Sequence, residues 1–103
     1  MVVVQSQDFD SAALVAQLRE HTAGKAGALV TFTGYLRDYA PDKATKSLYL
    51  EHYPGMCERE LGEIRDTALA RWDVEEILVV HRHGELKLKD QIVFVAVASA
   101  HRG

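Results

Sequence analysis

Five histidines, a single cysteine and a few cations near strand ends are the residues of this 103-residue chain that could do chemistry. His81 and His83 stand two apart, so on a strand they share a face, while His52 and His101 fall near strand ends. There is no His-Glu-x-x-His pattern and no cysteine pair, so no usual zinc spacing is met, and hydrogen-bonded histidines on half-exposed strands are the favoured reading. Ser99 lies two residues before His101 and outside any Gly-x-Ser-x-Gly elbow, which argues against a hydrolytic triad. Cys57 falls in the first turn of an expected helix, where the dipole favours a thiolate, but lone cysteines at such places are usually inert. No Gly-x-Gly-x-x-Gly or phosphate-loop signature occurs, so no nucleotide cofactor is indicated. What remains is cationic. Arg37 stands where a glycine-containing strand enters a loop, and His101-Arg102 follow the last strand. Two guanidinium groups and an imidazole converging on one pocket would suit phosphate or carboxylate, which guanidinium binds in a bidentate manner. Composition does not show that they converge, and ordinary surface arginines are the plain alternative.

The elements that must position these residues belong to one domain, since a chain of this length builds a single core. Lys and Arg number 12 against 15 Asp and Glu, for a net charge of −3, and the cations are scattered, so no nucleic-acid footprint is present. The longest apolar run, Ile92 to Ala98, is far shorter than the roughly 20 residues of a membrane span. The first residues do not read as a secretory signal. One cysteine cannot make an intramolecular disulfide, and a reducing cytoplasm fits best.

Val2–Val4 reads as a short strand. Asp10 reads as the cap of a helix from Ser11 to about Thr22, with Leu14, Val15 and Leu18 at helical spacing and Gly24 at its end. Gly27–Leu36, rich in β-branched and aromatic residues, reads as a strand, with Gly34 marking a bulge or a close approach. A polar loop from Arg37 to Lys46 leads to an alternating strand, Ser47–Tyr53, ended by Pro54-Gly55. Between Met56 and Trp72, Leu61, Ile64, Ala68, Leu69 and Trp72 form a helical stripe. Glu75–His83 and Gln91–Ala100 read as strands, joined by a polar connection, Gly84–Asp90. The order βαββαββ implies an α+β fold: two main helices against a largely antiparallel sheet. The chain stops at Gly103, straight after an apolar stretch whose face needs a cover, so a C-terminal element is expected to be missing.

Taken in order, five blocks resemble the molybdopterin synthase large, catalytic subunit family. They are Gly27-Ala28-Leu29-Val30-Thr31-Phe32-Thr33-Gly34-Tyr35-Leu36-Arg37, then Leu50-Glu51-His52-Tyr53-Pro54-Gly55-Met56, then Val80-His81-Arg82-His83-Gly84-Glu85-Leu86, then Asp90-Gln91-Ile92-Val93-Phe94-Val95-Ala96-Val97, and Ser99-Ala100-His101-Arg102. The Glu-His-Tyr-Pro-Gly-Met and Ser-Ala-His-Arg blocks are the specific ones. The resemblance implies an α/β hammerhead fold and a dimer of large subunits. Each would bind a small ubiquitin-like sulfur-carrier subunit, giving a heterotetramer. The small subunit's Gly-Gly tail carries a thiocarboxylate and threads into the large subunit. As a sulfurtransferase the enzyme moves two sulfurs onto cyclic pyranopterin monophosphate to make the molybdopterin dithiolene, with no metal and no organic cofactor.

The resemblance further implies that Tyr35, Leu36 and Arg37, with His101 and Arg102, contribute to the substrate pocket. Arg37 and Arg102 would hold phosphate or neutralise the thiocarboxylate, and His101 would donate a hydrogen bond or move a proton. Gly34 would let the tail approach, and Phe32 reads as core rather than pocket. Two departures matter. Tyr35 stands where some relatives have lysine, and the family continues past Ser-Ala-His-Arg with a helix and a segment bearing two lysines central to its catalysis, which this sequence lacks, so the resemblance implies that the 103 residues alone are inactive. Two readings follow: the N-terminal portion of a sulfur-transferring subunit, or a shortened noncatalytic homologue that dimerises or docks the small subunit. A phosphate- or pterin-binding module with another reaction is a remoter third.

Overall fold

The runs richest in β-branched residues build the sheet. A computed structural model describes residues 1–37, 47–50 and 55–100, the side chains of 47, 48 and 57 excepted. In chain order the elements are β1 (Val2–Gln5), α1 (Ser11–His21), β2 (Ala28–Tyr35), β3 (Ser47–Leu50), α2 (Met56–Arg71), β4 (Glu76–Arg82), β5 (Gly84–Lys87) and β6 (Gln91–Ser99). Four strands lie side by side in the order β1, β4, β6, β2. β6 pairs antiparallel with both β2 and β4, and β1 joins β4 parallel, a step that the long crossover between them permits.

β5 corrects the sequence expectation of a plain polar connection from Gly84 to Asp90. It pairs antiparallel with β3 in a separate two-stranded ribbon, setting Leu86 opposite Leu48 and Tyr49 opposite Glu85. The ribbon buries Leu86 completely while Glu85 and Lys87 on either side stay exposed, the period of two expected of a strand. Residues 51–53 of the expected third strand lie outside the described residues, as does the expected loop after Arg37.

Register decides which residues form the core. Val80 faces Phe94, Leu78 faces Ala96 and Leu29 faces Ala98, so these six share one side of the sheet. α1 lays Leu18 on that side, closing a cluster of Leu18, Leu78, Val80, Phe94, Ala96 and Ala98. The small Ala96 and Ala98 let the helix come close to β6. Asp10 caps α1 as its sequence position suggests, Oδ1 accepting the Ala13 N–H at 3.2 Å. Phe9, just before the cap, packs its ring 5.9 Å from that of Phe94.

The other side of β2 overturns the expectation for Phe32. It is 62% exposed and Val30 69%, because their side chains point away from α1. α2 packs mainly against β1 and β4. Gly55, at φ +84°, takes the left-handed turn that starts α2, and its N–H donates to Glu58 Oε2 at 2.8 Å. Leu61, Ala68 and Leu69 are half-buried as the stripe predicts, but Ile64 and Trp72 are exposed. Two strands offer the helix only a narrow seat, and the Arg71 guanidinium instead lies 5.3 Å from the centre of the Trp72 ring.

Arg82 continues the buried side of β4 past Leu78 and Val80 and is itself only 9% exposed. Its Nε and Nη2 donate to the Ser6 carbonyl at 3.2 Å each and Nη1 to the Gln91 carbonyl at 3.0 Å. Asp8 Oδ1 lies 3.6 Å away. The guanidinium thereby ties the β1–α1 connection to β4 and β6. The Gln91 amide, the Phe9 N–H and then Arg82 hold the Asp8 carboxyl below its usual value.

Candidate functional site

The end of β2 is shaped by a register shift between Gly34, opposite Val93, and Tyr35, opposite Gln91. This is the irregularity that a glycine inside the strand suggests. A Cβ on Gly34 would stand 2.9 Å from Val93 Cγ1, so packing within this chain already accounts for the glycine. Beyond the shift, Leu36 is locked from both directions. Its N–H donates to the Asp90 carbonyl and its carbonyl accepts the Lys89 N–H, each at 2.9 Å. Leu36 is therefore buried, 3% exposed, and Arg37 leaves the strand from a fixed point into solvent.

The facing turn, between β5 and β6, is equally constrained. The Lys87 N–H donates to Asp90 Oδ2 at 2.8 Å, and the Asp90 N–H donates to the Lys87 carbonyl at 3.0 Å. Lys89 sits at φ +74°, the one positive φ outside glycine among the described residues, a conformation that costs a side-chain-bearing residue about 1–2 kcal/mol.

Tyr35, Leu36, Arg37, Leu88 and Lys89 line a cleft of about 480 Å³. Its walls are almost wholly apolar, and Arg37 and Lys89 are the charged residues among those that border it. Such a cleft suits the face of a flat ring. Three of the five residues expected at a substrate pocket are thus together. His101 and Arg102 lie outside the described residues. His81 and His83 are half-buried at the end of β4, His52 is outside the described residues, and Cys57 falls in the first turn of α2. Among the described residues no group of three His, Cys, Asp or Glu side chains could hold a metal.

Leu88 and Lys89 are additions that sequence reasoning missed. Their one signal is the run Lys87-Leu88-Lys89-Asp90 between two strands, which marks a turn but not where the turn lies. Hydrogen bonding to Leu36 carries it to the β2 end.

Residues 4–103 match the family described as MoaE protein. The chain belongs to this family. The molybdopterin synthase catalytic subunit of Ralstonia nicotianae is 49% identical to it over 102 residues, covering 97% of the chain and 56% of that relative. The chain therefore spans little more than half of that MoaE relative's length. Molybdopterin cofactor biosynthesis protein E from Burkholderia multivorans superposes with a TM-score of 0.87 at 46% identity, over 100% of this chain and 66% of that one. The molybdopterin synthase structure from Staphylococcus aureus gives 0.83 at 33% identity, covering 97% and 71%. Both likenesses agree with the α+β architecture and the two helices described above.

Proposed function

We propose that this MoaE chain works as part of the catalytic subunit of a molybdopterin synthase. In this reading it takes sulfur from the thiocarboxylated Gly-Gly tail of a small ubiquitin-like subunit and delivers it to cyclic pyranopterin monophosphate. Two tails are spent for each dithiolene, and each is left as a carboxylate. The observation that carries the reading is the family match across residues 4–103. The cleft adds chemistry in its support, because apolar walls with Arg37 at the rim suit a phosphorylated heteroaromatic ring. The relative's name, catalytic subunit, implies a further subunit, in keeping with a small partner that brings the sulfur. Arg37, His101 and Arg102 hold the anion or neutralise the acyl sulfur beside it. The working assembly is a dimer of such chains with two small subunits, in the cytoplasm, and no helix of the described residues is long and apolar enough to cross a membrane.

The test is reconstitution. The full-length chain is mixed with a thiocarboxylated partner and cyclic pyranopterin monophosphate, and mass spectrometry follows both. Loss of sulfur from the tail with gain of two sulfurs on the pterin is expected. Partner binding with the thiocarboxylate left intact would instead support the noncatalytic binding module.

A further inference from the structure

The end of β2 is held by a turn as well as by its neighbouring strand. Gly34 lies opposite Val93 but Tyr35 opposite Gln91, so Ile92 has no β2 residue facing it and the ladder is interrupted just before Leu36. Past that break Leu36 is fixed by two backbone bonds to residues 89 and 90, each 2.9 Å. Asp90 shapes that segment. Its Oδ2 accepts the Lys87 N–H at 2.8 Å and its own N–H donates to the Lys87 carbonyl at 3.0 Å, which closes a four-residue turn from both directions. Its carbonyl meanwhile takes the Leu36 N–H. Between these contacts sits Lys89 at φ +74°, a backbone conformation that persists only where its surroundings hold it. Without the Asp90 carboxylate the turn loses one of its two closures, and the Lys89 N–H that serves the Leu36 carbonyl is free to shift.

We propose that Asp90 is a positioning residue for sulfur transfer: through the 87–90 turn and Leu36 it sets the point from which Arg37 leaves β2, without touching substrate itself. The inference rests on the proposed function, in which Arg37 meets the anion. Leu36 is buried and Arg37 is the next residue, so a displacement of Leu36 passes directly to the arginine's backbone. Guanidinium binds an anion well only in aligned geometry, and a displacement of about 1 Å at a reacting group is enough to slow a reaction severely.

Asp90→Ala and Asp90→Asn are compared in the full-length chain, since asparagine keeps a side-chain oxygen for the Lys87 N–H and alanine does not. In Asp90→Ala the Leu36 amide should exchange its hydrogen about fivefold faster, relative to the core amides of Val80 and Ala96, the size of one lost hydrogen bond. In the reconstituted reaction kcat/KM should fall about tenfold in Asp90→Ala and stay within about twofold of the parent in Asp90→Asn. Added to Arg37→Ala, Asp90→Ala should cause no further loss, because a residue that acts through Arg37 then has nothing left to position. An equal loss with and without Arg37 overturns the proposal. So does Leu36 exchange that rises only as much as that of the core, which would mean a general loss of stability, or an Asp90→Asn variant as impaired as Asp90→Ala. If the parent transfers no sulfur, the proposed function falls and this role with it, whereas transfer without coupling between Asp90 and Arg37 overturns the role alone.

Discussion

At the scale of single residues, Arg82 is the one buried charged side chain among the described residues. Its guanidinium serves the carbonyls of Ser6 and Gln91 from a position that is almost wholly buried. Removing it would strand both acceptors and leave Asp8 without its cation. Arg82→Ala is expected to lower stability by about 3 kcal/mol, read as a lower urea midpoint with an unchanged slope. A midpoint equal to the parent's would show that water satisfies those carbonyls instead. The sequence carries a legible trace of this role. In Leu78-Val79-Val80-His81-Arg82 the period of two places the arginine on the same side as Leu78 and Val80, and a charge on a core side needs partners. What the sequence does not supply is their identity, because Ser6, Asp8 and Gln91 come from two distant segments.

At the scale of elements, the strands with one apolar run and the helix with a clear cap were legible. α1 begins at Asp10's cap, and β2 breaks register at Gly34, as local chemistry suggests. Two features were not legible. β5 carries a single apolar residue, Leu86, flanked by Glu85 and Lys87, and its strand character depends on pairing with β3. Phe32 belongs to a strand whose two sides both carry apolar residues, Leu29 on one and Val30 and Phe32 on the other. Only the placement of α1 decides which side is core. The candidate site divides likewise: Tyr35, Leu36 and Arg37 are contiguous and could be found together, whereas Lys89 joins them through tertiary hydrogen bonds. The ribbon invites a direct test. Leu86→Ala should cost about 3 kcal/mol as a large-to-small change at a fully buried site, and faster amide exchange in β3 and β5 should report it. A cost below about 1 kcal/mol would mean that the ribbon contributes little to the fold.

At the scale of the whole molecule, Glu76 is the joint. Its Oε1 lies 3.0 Å from Arg65 Nη2 of α2 and 3.4 Å from the N-terminal ammonium of Met1, and its Oε2 lies 3.9 Å from His21 Nε2 of α1. Burial raises its carboxyl pKa, but the Ile77 N–H, Arg65 and the N-terminal ammonium together outweigh burial and hold it below the usual 4.5. Asp8 is likewise held below 3.8. With folded values depressed, the unfolded chain binds more protons, so this stabilisation is full above the unfolded values and is lost as pH falls through the folded ones. Urea midpoints should therefore drop as pH is lowered below about 4.5. Glu76→Gln should lower stability at pH 7 by about 2 kcal/mol and make the acid loss shallower. An acid profile parallel to that of the parent would contradict this account.

The same scale holds the central proposal, that residues at the β2 end of this MoaE chain bind the anion at the site of sulfur transfer. Arg37→Ala carries the most direct measurement, made in the full-length chain as kcat/KM for sulfur transfer in the reconstituted reaction, beside His101→Ala and Arg102→Ala. Each should reduce it at least about tenfold, the scale of one lost charge contact to a reacting group, with circular dichroism unchanged. Turnover equal to the parent's in all three variants would contradict the assignment of the site.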